Sequence, residues 1–462
     1  MAIGTRGPAA GLEGFSGEVI GPDDPGYDRA RQIWNASIDK HPALVVRPHS
    51  VADVQTAVRF AAERDLLVAV RAGAHSVAGF STCDDGIVID LGALKVIRID
   101  PATRRAYVQP GVVWGELDRE TQVYGLAVTG GLISSTGVAG FTLGGGIGWL
   151  QRSLGLACDN LVSVDLVTAD GSFVHVDDDS DPELMWGLRG GGGNFGIVTS
   201  FEFELHAVGP EIYGGLMMFP GERAAEVLSF FRGFSGSAPD ELMLATVLRL
   251  APPAPFLPEE VHGKPVIALA GMHMDAGRAE RDLQPVRDLG EPLADVMTRR
   301  PYVEMQSLLD GSWAAGFHNY WKADFLTGLP DEAIATLASH LDTITSPLSD
   351  FKLPMLGGAV AHVDEDATAY SHRDAPLILN INARWADADD AERHVEWTRR
   401  LFEAMQPYSA GGTYTNFMGV DDGAERVRQA YGHKFGRLQA LKDRLDPGNL
   451  FRLNQNVPPS NA

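Results

Sequence analysis

Apolar and polar residues alternate along the chain in short blocks with two periods. Ala43-Leu44-Val45-Val46-Arg47-Pro48 is a β-branched run closed by proline, and the segment opened by Ser50 carries Val51, Val54, Ala57, Val58 and Ala61 at helical spacing. That order predicts a strand, an N-cap and a helix. Residues 66–71 and 86–91 (LLVAVR and GIVIDL) predict two more strands, joined by the glycine-rich stretch RAGAHSVAGFSTCDDG. VIRID and AYVQPG flank a turn at PATRR, a helix is predicted near residues 114–124, and 160–169 with 172–176 form a predicted hairpin around Asp170-Gly171. Residues 1–208 are therefore expected to be one mixed α/β unit built around glycine loops.

Beyond residue 208 the texture changes. Strand-like LMLATVLRL, KPVIALAGMHM and PLILNINARW alternate with helix-like DEAIATLASHLDTI and DAERHVEWTRRLFEAM, which predicts a second, α+β domain over 209–413. A last segment, 414–462, holds one long helix pattern (AERVRQAYGHKFGRLQALKDRL) and an extended tail, DPGNLFRLNQNVPP.

Composition narrows the function classes. The chain has 462 residues with 61 acidic and 38 basic side chains, a net charge of −23. Neutralising phosphates takes clustered Lys and Arg, so neither nucleic acid nor an anionic membrane is an expected partner. Cys83 and Cys158 are the only cysteines. They make no disulfide framework and no zinc pattern, and are read as small buried apolar residues. No apolar run approaches the ~18 residues of a membrane span, and the leader MAIGTRGPAAGLEGFSGEV lacks the apolar core of a secretory signal. A cytoplasmic protein is expected, with no resident metal.

Candidate chemistry sits in the glycine runs. Gly191-Gly192-Gly193-Asn194-Phe195-Gly196 satisfies G-x-G-x-x-G, but a Rossmann fingerprint opens a helix. Here Ile197-Val198-Thr199-Ser200-Phe201-Glu202-Phe203 alternates as a strand instead. No Gly-Lys-Ser/Thr follows any run, which removes a Walker loop. Two further runs, 71–79 and 137–148, suggest that several loops converge on one long anionic ligand, because backbone without Cβ approaches a pyrophosphate closely and presents N–H donors.

The strings RAGAHSVAG, STGVAGFTLGGGIGWLQRSLGLACDNL, DPELMWGLRGGGGNFGIVTSFEF and DPGNLFRLNQNVPP resemble, in order and spacing, the vanillyl-alcohol-oxidase-type FAD-linked oxidases of the berberine-bridge-enzyme-like branch. The resemblance implies a two-domain α+β fold: a PCMH-type FAD-binding domain completed by the C-terminal segment, and a substrate domain whose antiparallel sheet is covered by helices. It implies FAD bonded covalently through His75. The neighbouring cofactor contacts would be Arg71, Ala72, Gly73, Ala74, Ser76 and Gly79 in the first loop. Thr129, Gly130, Thr136, Gly137, Gly140, Gly144, Gly145, Gly146 and Gly148 would follow in the second. Asn160, Gly196, Ile197, Asn454 and Asn456 would complete the set. Many relatives carry a second tether through a cysteine in C-P-T-x-G; this chain reads Ile133-Ser134-Ser135-Thr136-Gly137, so one bond is expected.

On the substrate side the resemblance marks Tyr414 and Asn416 of the Tyr-x-Asn pattern, Lys322 as a nearby cation, and Thr136 beside the oxygen-reactive edge of the flavin. His318, His362 and Tyr370 are weaker pocket candidates. The implied activity is hydride transfer from an alcohol or amine C–H to flavin, with dioxygen as the acceptor and hydrogen peroxide as the product. An alternative is an oxygenating flavoenzyme of natural-product biosynthesis acting on a polyketide-like substrate. The partners are then a small-molecule substrate and dioxygen, with a homodimer left open.

Overall fold

The computed structural model describes residues 12–461; most of the leader read as lacking a secretory signal lies outside the described residues. The first blocks fold as their patterns predict. Val51–Glu63 is a helix whose first turn is capped by the Ser50 side chain, which accepts from the Asp53 N–H at 3.2 Å. The apolar runs Leu44–Arg47, Ile87–Asp90 and Val68–Arg71 are neighbouring parallel strands, with Glu18–Ile20 added antiparallel at one edge. Parallel strands covered on both faces read as continuous apolar runs, which is the pattern seen here.

A second, antiparallel sheet has the order Ile97–Asp100, Arg105–Val108, Ile197–Glu204, Leu161–Val167, Phe173–Asp177. Its central strand is the segment after the last glycine run, a strand and not a helix. The hairpin at Asp170-Gly171 closes with Gly171 at φ +78°. Elsewhere the pattern is read too simply. The run 137–148 is not all loop, because Val138–Leu143 forms a short helix. The long C-terminal pattern is two helices, Ala424–Tyr431 and Phe435–Leu445, since Gly432 at φ +54° cannot continue the first.

The third sheet is antiparallel throughout. Its main path runs Ala294–Asp295, Glu211–Pro220, Pro265–His273, Leu242–Leu250, Asp350–Pro354, Leu377–Trp385, His318–Leu326. One face buries Leu244, Leu269, Phe351, Leu379 and Ile381 against the helices Ala224–Ser235, Asp331–Leu341 and Ala391–Met405, through residues such as Phe231, Leu337, Trp397 and Leu401. The intervening positions point the other way, toward the first two sheets. The tail then returns: Leu450 and Phe451 join the core of the parallel sheet, and Leu441 and Val457 join that of the second sheet. No described helix is long and apolar enough to cross a membrane.

Candidate functional site

All three glycine runs reach one cavity of ≈ 340 Å³, lined also by the third sheet and by the tail. The loops meet backbone to backbone. A Cβ on Gly137 would stand 2.6 Å from the Gly73 amide nitrogen, so each glycine admits the other. Gly140 and Gly193 line the cavity with nothing within 4 Å of where their Cβ would be, which leaves a smooth cradle for a ligand. Asn454 also lines it; its Nδ2 donates to Gly193 O (3.1 Å) and Phe451 O (3.0 Å), while its Oδ1 is buried with no partner. A buried unpaired amide oxygen costs about 1–3 kcal/mol, and a flavin N–H or ribityl hydroxyl would satisfy it. The donor set fits FAD.

His75 stands on the cavity wall in the first loop, next to Ala74 at φ +56°. Its ring stacks on Trp34 with centroids 4.7 Å apart, and its Nε2 lies 3.0 Å from Ser135 Oγ. Burial, and secondarily the Arg384 guanidinium, push the imidazole down to about 4. The ring is therefore neutral near pH 7 and keeps a nucleophilic nitrogen. Ile133 fills the neighbouring wall against Trp34, Val77 and Trp313. Cys83 and Cys158 are both buried away from the cavity, as their reading as apolar residues requires.

Tyr414 faces the cavity from the third-sheet side and is almost fully buried. Its oxygen accepts three N–H groups: Gly146 N at 2.9 Å, Ile147 N at 3.3 Å and Asn416 Nδ2 at 2.7 Å. The amide of Asn416 is held in that sense because Nδ2 also donates to Phe141 O at 3.0 Å. Burial raises the phenol above its ordinary pKa, and the three donors oppose that rise. Gly145, at φ +120°, leaves room for the rings of Tyr370 and Tyr414.

The residues singled out from sequence divide in two. Ala72, Gly73, Ala74, His75, Ser76, Thr136, Gly137, Gly140, Gly144, Gly196, Ile197, Asn454, Tyr414 and Asn416 line the cavity. The others lie outside the lining. Arg71 pairs with Asp90 at 2.7 Å, Gly79 packs on Ile38, and Thr129 Oγ1 donates to Gly155 O at 2.7 Å. Gly148 lies against the Gly130 carbonyl, Gly146 against Ala157, and Asn160 bonds Leu154 O, Leu156 O and His206. Asn456 is outside the cavity lining.

Lys322 is also turned away: its Nζ contacts Asp422 Oδ1 at 2.7 Å and Asp421 Oδ1 at 2.8 Å. Burial alone would raise the Asp421 carboxyl, but hydrogen bonds from Lys322, Tyr320 and Arg399 bring it down to about 2. This cluster fastens the tail to strand His318–Leu326. The reason is the strand's alternation, which puts Lys322 on the face opposite Trp321. His318 stacks on Trp385, and the His362 side chain is exposed. Tyr370 packs edge-on behind Tyr414 at 6.1 Å. Sequence reasoning missed Trp34, Trp313, Trp321, Lys352 and Asn380, which also line the cavity. The available signal was the polar alternation Asn380, Asn382, Arg384 inside LILNINARW.

Family models agree with this geometry. Residues 42–177 match the FAD binding domain, and residues 413–458 match the model described as berberine and berberine like. The chain is 33% identical to the (R)-6-hydroxynicotine oxidase of Paenarthrobacter nicotinovorans, over 97% of this chain and 98% of the relative. It belongs to the berberine-bridge-enzyme-like FAD-linked oxidoreductases. A Dictyostelium discoideum FAD-linked oxidoreductase is 32% identical over 92% of this chain and 91% of its own. The crystal structure of 6-hydroxy-D-nicotine oxidase from Arthrobacter nicotinovorans superposes with a TM-score of 0.88 at 31% identity, covering 98% of this chain and all (100%) of that one. As a member of this family the protein is an oxidoreductase that uses FAD.

Proposed function

We propose that the protein is an FAD oxidase whose cofactor is tethered by a single bond to His75, and which oxidises an alcohol or amine C–H of a small molecule at the expense of dioxygen, releasing hydrogen peroxide. In this reading residues 1–208 and 414–462 hold the cofactor and 209–413 cover it. When bound, FAD supplies the two-electron acceptor. The observation that carries the reading is that His75, neutral and in a glycine loop, and Tyr414, with three donors on its oxygen, face the same cavity.

The chain's own residues supply the rest. The glycine loops admit the cofactor backbone to backbone, and the Asn454 amide satisfies a polar edge. His75 fixes the cofactor's position. Tyr414 takes the substrate O–H or N–H proton, since three N–H donors and no protein acceptor suit an oxygen that carries negative charge. Thr136, on the cavity wall, offers a hydroxyl near where oxygen would enter.

The test is acid precipitation of the purified protein. Yellow colour should stay in the pellet for wild type and move to the supernatant for His75→Ala, with one flavin-bearing peptide containing His75. Flavin freely extracted from wild type rejects the tether. Anaerobic bleaching by substrate followed by air should give stoichiometric peroxide; oxygen incorporated into product without peroxide would assign the oxygenating alternative instead.

A further inference from the structure

One short segment of the covering domain, residues 310–313, reaches His75 along two routes. Asp310 opens the turn Asp310–Ser312, and the Trp313 N–H donates to Asp310 O at 3.0 Å. On the first route the Asp310 carboxylate accepts from Ser134, from its backbone N–H at 2.9 Å and from its hydroxyl at 2.5 Å. Helix Trp114–Gln122 holds the same turn by its carbonyls, with Gly115 N on Ser134 O at 2.8 Å and Trp114 N on Thr136 O at 3.0 Å. Between these anchors Ser135 places its Oγ 3.0 Å from His75 Nε2. On the second route the Trp313 carbonyl accepts from Trp34 Nε1 at 3.0 Å, and the Trp34 ring stacks on the imidazole with centroids 4.7 Å apart. One contact fixes an edge of the ring and the other its plane.

The edge contact decides which nitrogen can react. A neutral imidazole carries one N–H and one lone pair. Nε2 is taken up by Ser135, whereas Nδ1 has no partner among the described residues. Nδ1 is therefore the nitrogen open to a cofactor, and it is nucleophilic only when the proton resides on Nε2. That puts Ser135 Oγ in the accepting role. The serine is exposed, so a proton received there can pass on to water.

We infer that Ser135, set by Asp310, and Trp34, set by Trp313, are positioning residues for the tether: they hold His75 with its proton on Nε2 and its Nδ1 lone pair free, so that the bond to the cofactor forms once the covering domain has docked. In that step the bond from Nδ1 to the flavin 8α carbon forms and an 8α C–H bond breaks, its proton leaving and its electron pair passing into the flavin ring. Nε2 releases its proton through Ser135, and the ring takes up two protons. Dioxygen then removes the electron pair and two protons as hydrogen peroxide. The inference rests on the single His75 bond proposed above.

The full chain is made by cell-free translation without flavin, FAD is added in air, and acid-stable flavin is followed against time. The bonded nitrogen is assigned by NMR on the isolated flavin peptide. Wild type should be bonded through Nδ1. Ser135→Ala should attach flavin about 10-fold more slowly, as for the loss of one hydrogen bond, and Ser135→Thr, which keeps the hydroxyl, should restore the rate. Asp310→Ala should also slow attachment while the FAD bound before acid treatment matches wild type. Bonding of wild type through Nε2, a wild-type rate in Ser135→Ala, or a Ser135→Thr rate as low as that of Ser135→Ala overturns the inference; a wild-type rate in Asp310→Ala overturns the part given to the covering domain. The wild-type linkage needs no variant, so a variant that fails to fold does not remove the test. Wild type without acid-stable flavin would defeat the tether itself, and the inference with it.

Discussion

The two walls of the cavity are built from different materials. The cofactor-side wall is mostly backbone: glycine runs from three separate loops, fitted so closely that Gly73 and Gly137 touch through main-chain atoms. The third-sheet wall is side chain: Trp313, Trp321, Lys352 and Asn380 stand on strands and nearby loops held by the large helix-covered core. Main chain in contact with main chain, as at Gly73 and Gly137, leaves no room for a side chain but says little about identity beyond a long, polar ligand. Side chains on a strand can change with the scaffold intact. The first wall is suited to a constant cofactor and the second to a variable substrate.

Breaking the backbone wall should have the largest effect. Gly137→Val places carbon into the Gly73 main chain, so the purified variant should hold no flavin and melt well below wild type by calorimetry; retention of full flavin content would mean that the loops separate easily. Next comes Tyr414→Phe, which removes the acceptor from between the walls. Anaerobic flavin reduction should slow ~10²–10⁴-fold while reoxidation changes little. Because burial holds the phenol above its ordinary value, the reactive ionised form grows with pH, so the wild-type reduction rate should climb through the alkaline range and the variant's should not. Thr136→Val should do the reverse, leaving reduction intact and altering the oxygen step.

Lys322→Met tests the boundary of the second wall. Its partners are Asp421 and Asp422, not the cavity, so the variant should lose stability by about 3–5 kcal/mol, as when a buried pair is broken, with the reduction rate of the folded fraction unchanged. A rate loss without destabilisation would return the lysine to the site.

The smallest effect concerns the seam. Asp118, on helix Trp114–Gln122, accepts from Gln306 Nε2 at 2.9 Å across from helix Tyr302–Gln306. Burial raises its carboxyl to about 7, against the lowering by that hydrogen bond. The folded protein therefore keeps this proton more tightly than the unfolded chain, and the stability it lends is full below pH 4 and lost as pH rises toward 7. The melting temperature of wild type minus that of Asp118→Asn should fall across this window; a flat difference would place the carboxyl in water.

Much of the cofactor wall was legible because its signal is local. A glycine run, an alternating strand after Gly196 and a histidine in RAGAHSVAG are each contained within ten residues, and steric rules read them without partners. Lys322 does not reach the cavity because its partners, Asp421 and Asp422, lie about a hundred residues away in the chain, whereas Asn160 is drawn into its own turn by Leu154 O and Leu156 O. Strand Glu211–Pro220 and the helix within 137–148 were overlooked because small and apolar residues there carry no clear period.

The chain alone determined that it carries three glycine runs, that residues 133–137 read Ile-Ser-Ser-Thr-Gly with no cysteine among them, and that a tyrosine precedes Asn416 by two positions. Tertiary structure alone decided which face of each strand looks inward. Lys322 and Lys352 are both lysines inside apolar strands, but the pairing of Lys352 with Asn380 turns one toward the cavity while alternation turns the other toward the tail. A period of two tells which residues share a face, never which face meets the ligand; that depends on where the helices pack.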